Sequence, residues 1–162
     1  GLLLGSDYSF DKVLLVVKEM MDLLCLDLVE KNLITGSVTL HVGYANRFNV
    51  TSAHGTTSTD VETNSDLLLI PAVTDLYRRI VNPAYPIHRI NITCNNVMPE
   101  EYHQYNFFLD GAELERSRRM QQAVISIKNR FGKDAILKGM NLEEGATTRE
   151  RNHQIGGHKS GL

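Results

Sequence analysis

The residues best suited to recognise another molecule lie in the stretch Gln104-Tyr105-Asn106-Phe107-Phe108, where a glutamine precedes two adjacent phenylalanines. An amide side chain makes directional hydrogen bonds, and a bulky apolar pair can fill a pocket. This combination predicts a short docking peptide that binds a groove on a partner protein. The alternative is that Phe107 and Phe108 end a core strand and that Gln104 is incidental.

The chain contains 6 histidines and 2 cysteines, but their positions do not predict a metal site. The histidines lack the paired spacing of zinc ligands, and neither cysteine has a partner nearby in sequence. Cys25 and Cys94 lie inside apolar runs, which predicts free thiols and a reducing, cytoplasmic setting. The neighbouring carboxylates of Glu100-Glu101 and Glu143-Glu144 are typical of plain surface. We therefore expect no catalytic residue, no metal and no cofactor in this chain.

Composition sets further bounds on function. The chain has 162 residues, 42% of them hydrophobic, and a formal net charge of −2. The hydrophobic content is enough to build a core, but the net charge gives no whole-molecule attraction to nucleic acid. Any contact with DNA must therefore rely on a local face. The apolar runs are too short for a membrane span, so we expect a soluble protein. Because the chain begins without methionine, we interpret it as a piece of a longer protein.

Two helices are predicted in the first part of the chain. Apolar residues recur at three- and four-residue steps from Phe10 to Leu33, a pattern typical of an amphipathic helix. Ser9 or Asp7 can cap its start, and Thr35-Gly36 is expected to end it. A second helix is predicted from about Asp66 to Asn82. Pro71 either kinks this helix or marks its first turn.

The other segments have the character of strands. Residues 37–45 alternate strictly between apolar and polar, and so do residues 87–94. Residues 48–63 are rich in threonine and serine, which favours an extended strand with at least one exposed face. A hairpin turn is expected near Asn46.

These elements predict an α+β fold, with a small mixed sheet of about four strands covered on one face by two helices. A C-terminal helix from about Glu113 to Phe131 and a flexible tail from Lys138 follow. We expect a first domain over residues 1–98, a docking linker over residues 99–112, and the helix and tail over residues 113–162.

The uncovered face of the sheet is predicted to be polar and almost free of carboxylates. Its outward positions include Thr39, His41, Arg89, Asn91 and Thr93, with a series of Ser and Thr residues between Thr51 and Thr59. The lack of Asp and Glu favours an anionic partner. The alternative is that any sheet covered on one side has a polar outer face.

Several segments of the chain, taken in sequence order, resemble those of a known family. The helix VLLVVKEMMDLLCLDLVEKNL leads into SVTLHVGYA, and IHRINITCNNV is followed by QYNFF. Together with the ending RFGKDAILKGMNLEEGATTRERNHQIGGHK, they resemble the C-terminal part of the Y-family (UmuC/DinB, or ImpB/MucB/SamB) translesion DNA polymerases. The likeness is greatest to the UmuC-type proteins of Gram-positive bacteria.

The resemblance implies the little finger, a domain that holds primer-template DNA through backbone amides and short polar side chains in error-prone synthesis during DNA repair and the SOS response. Carried over by position, the DNA-binding residues are Thr39, His41, Arg47, Thr51, Ser52, His54, Thr56, Arg89 and Asn91. The resemblance also implies that Gln104, Phe107 and Phe108 bind the bacterial sliding clamp, although the family usually has leucine at the position of Phe107.

The family's Mg²⁺-binding carboxylates belong to a palm domain that this chain lacks, so the resemblance implies a polymerase parent and an inactive fragment. The rival hypothesis is an α+β protein-interaction module with no nucleic-acid role. Salt discriminates between the two, because DNA binding weakens steeply as ionic strength rises and an apolar interface does not.

Overall fold

The computed structural model describes residues 1–100, 111–155 and 158–159. The strands are β1 (Leu2–Tyr8), β2 (Leu33–Tyr44), β3 (Ala53–Thr63), β4 (Ile87–Asn95), β5 (Met98–Pro99), β6 (Gln154–Ile155) and β7 (His158–Lys159). The α-helices are α1 (Phe10–Glu30), α2 (Asp66–Ile80), α3 (Gly111–Phe131) and α4 (Thr148–Arg151). Short 3-10 helices occupy Asn46–Phe48 and Gly139–Leu142.

The main sheet has the strand order β1-β4-β2-β3, with β5 added beside the start of β2. The α+β class is confirmed. A mixed sheet was expected, but every described strand pair is antiparallel. Helices α1 and α2 do each connect two parallel strands, α1 from β1 to β2 and α2 from β3 to β4. Another strand lies between the members of each pair, so no parallel neighbours arise.

Helices α1 and α2, here called the helix layer, cover one face of this sheet. Ser9 and Ser65 cap their N-termini, each accepting a hydrogen bond from a backbone N–H of the first turn. The apolar stripes of both helices meet the inward side chains of β2 and β4 in one core, which includes Val17, Met21, Leu40, Val42, Val73, Leu76, Tyr77 and Ile90. This burial is the main stabilising contribution to the fold.

Two local boundaries differ from the expectation. Helix α1 ends at Glu30, and Asn32 turns the chain with a left-handed φ of 56°. Thr35-Gly36 was wrong as the end of the helix, because both residues lie inside β2. Pro71 lies within α2, so of the two alternatives it is not the first turn.

Strand β1 was missed at the sequence level. It pairs with β4 only at Leu2, Leu3 and Tyr8, and the register shifts between Leu3 and Tyr8. A strand with so few regular pairs leaves no sustained alternation in the sequence.

The C-terminal segment contacts the helix layer through polar groups. Glu19 on α1 is completely buried and accepts hydrogen bonds from Asn141 Nδ2 at 2.7 Å, Thr147 N at 2.7 Å and Thr148 N at 3.3 Å. Lys138 Nζ bridges Asp22 on α1 and Asp66 on α2. Within the segment expected to be a flexible tail, the structure thus has two short helices, Gly139–Leu142 and Thr148–Arg151, which bond to α1 through Asn141 and Thr148. Among the described residues, no helix combines the length and apolar content needed to cross a bilayer.

Candidate nucleic-acid interface

The uncovered face of the sheet carries polar side chains in rows across three strands. Thr39 on β2 lies opposite Thr56 on β3 and Thr93 on β4, and His41 lies opposite His54 and Asn91. The intervening residues Val38, Leu40 and Val42 are buried beneath the helix layer. We call this surface the polar face, made up of Ser37, Thr39, His41, His54, Thr56, Ser58, Arg89, Asn91, Thr93 and Asn95.

At one end of the polar face the side chains bond to one another. The hydroxyls of Thr39 and Thr56 are 2.7 Å apart, and Asn95 Nδ2 donates to Thr39 Oγ1 at 2.9 Å and to Ser37 Oγ at 3.1 Å. Such a network fixes the rotamers of these side chains before any ligand arrives.

The other end of the polar face is different. Within the described part of the chain, the side chains of His41, His54, Arg89 and Asn91 form no hydrogen bond or ion pair with other described residues. With respect to the described residues, their donors are therefore available to solvent or to a ligand. A row of such donors suits phosphate oxygens, which accept hydrogen bonds from Arg, His and amide groups.

The electrostatics of the polar face are favourable to an anion. None of its residues is a carboxylate, and the first one along β3 is the exposed Asp60 beyond Ser58. Arg89 supplies a fixed positive charge among uncharged donors. The net charge of −2 therefore does not describe this surface.

Six of the nine predicted DNA-binding residues lie together on the polar face: Thr39, His41, His54, Thr56, Arg89 and Asn91. Ser52 lies at the edge of this face, where its Oγ is 3.9 Å from the position of a Cβ on Gly43. Thr51 is exposed in the connection before β3. Arg47 lies in the turn after β2 and pairs with Asp7, away from the rows.

Sequence reasoning missed Ser37 and Asn95 as members of the same surface. The alternation of Arg89, Asn91 and Thr93 could have been continued to Asn95. Ser37 required the pairing partners, since it lies opposite both Asn95 and Ser58. The predicted clamp-binding residues Gln104, Phe107 and Phe108 lie outside the described residues.

The helix side of the molecule holds the two cysteines as free thiols. Burial raises the pKa of the Cys25 thiol well above its ordinary value, and nearby Asp66 and Asp22 raise it further. Burial also raises the pKa of Cys94. Among residues 1–100, 111–155 and 158–159, no group of three or more His, Cys, Asp or Glu side chains is arranged to hold a metal ion.

With this geometry established, comparison with known proteins identifies the class. The chain belongs to the impB/mucB/samB family, since the model of that family's C-terminal domain matches residues 4–107. This is the Y-family of translesion DNA polymerases that the sequence segments resemble, and that part of the interpretation is confirmed.

A curated relative is the protein named DNA polymerase IV 2 of Halalkalibacterium halodurans. It is 24% identical to this chain over 159 residues, which cover 98% of the chain and 38% of the relative. The chain thus spans well under half the length of that relative.

Proposed function

We propose that this chain is the DNA-holding and clamp-docking part of an error-prone translesion DNA polymerase of the Gram-positive UmuC-like subgroup. The observation that carries the proposal is the polar face, where cross-strand rows of hydrogen-bond donors without carboxylates lie on the uncovered side of the sheet. Such a surface can follow a DNA backbone without reading its sequence, because phosphate contacts position a protein and carry no sequence information.

The parent protein, in this proposal, is a cytoplasmic DNA polymerase acting in DNA repair and the SOS response. The Mg²⁺-dependent nucleotidyl transfer belongs to the part of the parent that is not present in this chain. The name of the relative, and the fact that this chain covers 38% of it, support the assignment of catalysis to another part of the parent. The fragment itself is expected to be inactive.

Salt-dependent DNA binding tests the role of the polar face. Duplex DNA is titrated into the chain over a range of salt concentrations, with Arg89→Ala compared with Arg79→Ala, an equal change of charge on the exposed side of α2. If Arg89 contacts a phosphate, its replacement weakens binding and reduces the slope of log affinity against log salt by about one. The Arg79 variant should keep the wild-type slope.

Two kinds of result would contradict DNA binding by the polar face. A folded wild type that binds no DNA, or binds it without dependence on salt, would favour the protein-interaction alternative. Equal losses in the two variants would show that net charge matters and that the polar face has no special role.

The docking peptide is the second part of the proposal. Gln104, Phe107 and Phe108 are expected to bind the bacterial sliding clamp, and a triple change to alanine should abolish saturable binding to a purified clamp. Two weak contacts on one chain, to DNA and to clamp, raise the effective concentration of each site for the other. Absence of binding by a folded wild type would remove the clamp from the proposal and leave DNA contact standing.

A further inference from the structure

A depression of about 420 Å³ lies at the end of the polar face that carries His41 and Arg89. Two strands lose their regular register there. Between Gly43 and Tyr44, β2 advances one residue while β4 advances from Arg89 to Ile87, so His88 is an extra, bulged residue. Strand β1 departs further, since its next pair with β4 after Leu3 is at Tyr8. Bulges bend strands and redirect side chains. Here they coincide with a hollow that a regular sheet would not contain.

The lining of the depression combines donors, acceptors and small apolar walls. Among its members are His41, Asn46, Ser52, His88 and Arg89, with Leu3 on the side of β1. Gly43 also lines it, and the missing side chain there leaves the floor open. The volume falls in the range of small-molecule sites, about 300–1,000 Å³.

The depression is lined by one positively charged group, and the charged groups beside it pair with each other. Asp7, in the irregular part of β1, accepts a hydrogen bond from Arg47 and lies 3.7 Å from His88 Nδ1. Because Arg47 neutralises Asp7, the carboxylate does not dominate the local field. Arg89 is the lining residue with a permanent charge, and its guanidinium forms no ion pair with any described residue.

Aromatic rings extend from the depression, because Tyr44 lines it and the Tyr44 ring centroid lies 5.7 Å from that of Tyr85. Phe48 is 40% exposed, its ring lies 5.6 Å from that of Tyr85, and the Arg47 guanidinium lies 4.7 Å from the Phe48 ring centroid. Phe48 follows Asn46 and Arg47 in the same turn, and Asn46 lines the depression. An exposed aromatic ring packed against fixed neighbours is a surface on which a nucleobase can stack.

We propose that this depression, which we call the nucleotide pocket, takes one unpaired nucleotide of a DNA strand held by the polar face. The inference rests on the proposed function, because the same strand must reach the pocket. A paired base is enclosed in the duplex and cannot enter a hollow, whereas an unpaired base leaves the stack at the least cost. Asn and His side chains can bond to a base edge, Phe48 offers a stacking face, and Arg89 meets the phosphate.

The test compares two DNA ligands that differ by one nucleotide. A blunt duplex and the same duplex with a single unpaired nucleotide are titrated into the chain, with 2-aminopurine as the unpaired base. The wild type is expected to bind the second ligand roughly fivefold to a hundredfold more tightly, the effect of one stacked and hydrogen-bonded base. The fluorescence of 2-aminopurine should change on binding.

Matched variants locate the effect. Ser52→Leu fills the nucleotide pocket, and Ser126→Leu makes the same change at an exposed position of α3, outside the polar face. The preference, taken as the ratio of the two affinities, should be lost in the first variant and kept in the second, and the second should also keep the wild-type affinity for the blunt duplex. If Ser52→Leu does not fold, as judged by thermal melting, His88→Ala removes a lining side chain without adding bulk and is expected to reduce the preference.

The outcomes separate this inference from the proposed function. Equal wild-type affinity for the two ligands overturns the nucleotide pocket and leaves duplex binding intact. A preference that survives in Ser52→Leu, or in His88→Ala where that variant replaces it, also overturns it, because the unpaired base then binds elsewhere. No binding to either DNA overturns both. Free thymidine monophosphate is included as a third ligand, and binding as tight as that of the unpaired duplex would overturn the need for a DNA strand.

Discussion

The buried carboxylate of Glu19 should hold the C-terminal segment on the helix layer, and its removal should detach that segment. Glu19 is fully buried on α1 and accepts three hydrogen bonds, from Asn141 Nδ2, Thr147 N and Thr148 N. Glu19→Ala leaves these donors buried without an acceptor. Breaking such a buried charged group away from its partners costs about 3–5 kcal/mol.

The size of the loss depends on how far the segment separates. If residues 132–155 leave α1, their donors regain water and the cost is limited to the docking free energy. A domain of this size loses about 2–4 °C in Tm for each kcal/mol. Glu19→Gln keeps one carbonyl oxygen as acceptor but directs an NH2 group at another donor, so it should lie between wild type and Glu19→Ala.

Urea unfolding measures the loss of global stability, and amide hydrogen exchange measures the local detachment of the C-terminal segment. The exchange of the Thr147 and Thr148 amides should accelerate in Glu19→Ala even where global unfolding changes less. Glu30→Gln is the control on the same helix, because Glu30 is exposed and accepts one hydrogen bond from Asn129 at 2.9 Å. A Glu19→Ala protein with wild-type stability and wild-type exchange at these two amides would refute the reasoning.

Three further outcomes follow from the packing and the charges. Burial alone would lower the pKa of Lys138, but hydrogen bonds and attraction to Asp22 and Asp66 outweigh it and raise the pKa. The contribution of Lys138 to stability is complete below its pKa in the unfolded chain, about 10.4, and is lost as pH rises through its pKa in the folded protein. The Tm difference between wild type and Lys138→Met should therefore shrink above about pH 10. A Tm difference that stays constant with pH would contradict this role of Lys138. Because Cys25 is fully buried with a raised pKa, a thiol reagent should label it at the rate of unfolding, and rapid labelling of the native protein would be inconsistent with the fold. A Cβ on Gly55 would lie 3.1 Å from Leu76 Cδ1 and 3.2 Å from Ile80 Cγ2, so Gly55→Val should cost about 1–3 kcal/mol in urea unfolding. Gly5→Ala, where a Cβ meets nothing within 4 Å, is its control.

Most of the regular elements were predictable because their hydrophobic period is a local property. The three-and-four spacing from Phe10 matches α1, and the alternation of Val38, Leu40 and Val42 against Thr39 and His41 matches β2. Strand β4 was predicted over residues 87–94 and extends to Asn95. The polar composition of the uncovered face followed from the same alternation.

Other features were not predictable because they depend on partners distant in sequence. Strand β1 is a strand only through its few pairs with β4, and Arg47 pairs with Asp7, 40 residues earlier in the chain. Glu19 resembles a surface residue in an amphipathic helix, since its partners lie more than a hundred residues later.

The sequence by itself determined which segments are helix or strand and which side of each strand is polar, because both depend on neighbours a few residues apart. The tertiary structure alone decided that β4 lies between β1 and β2, and this arrangement aligns Arg89 and Asn91 beside His41. It also placed the bulge at His88 where β1 loses its register, and so formed the nucleotide pocket. Strand order and register are fixed by the packing of distant side chains into one core, which no local pattern records.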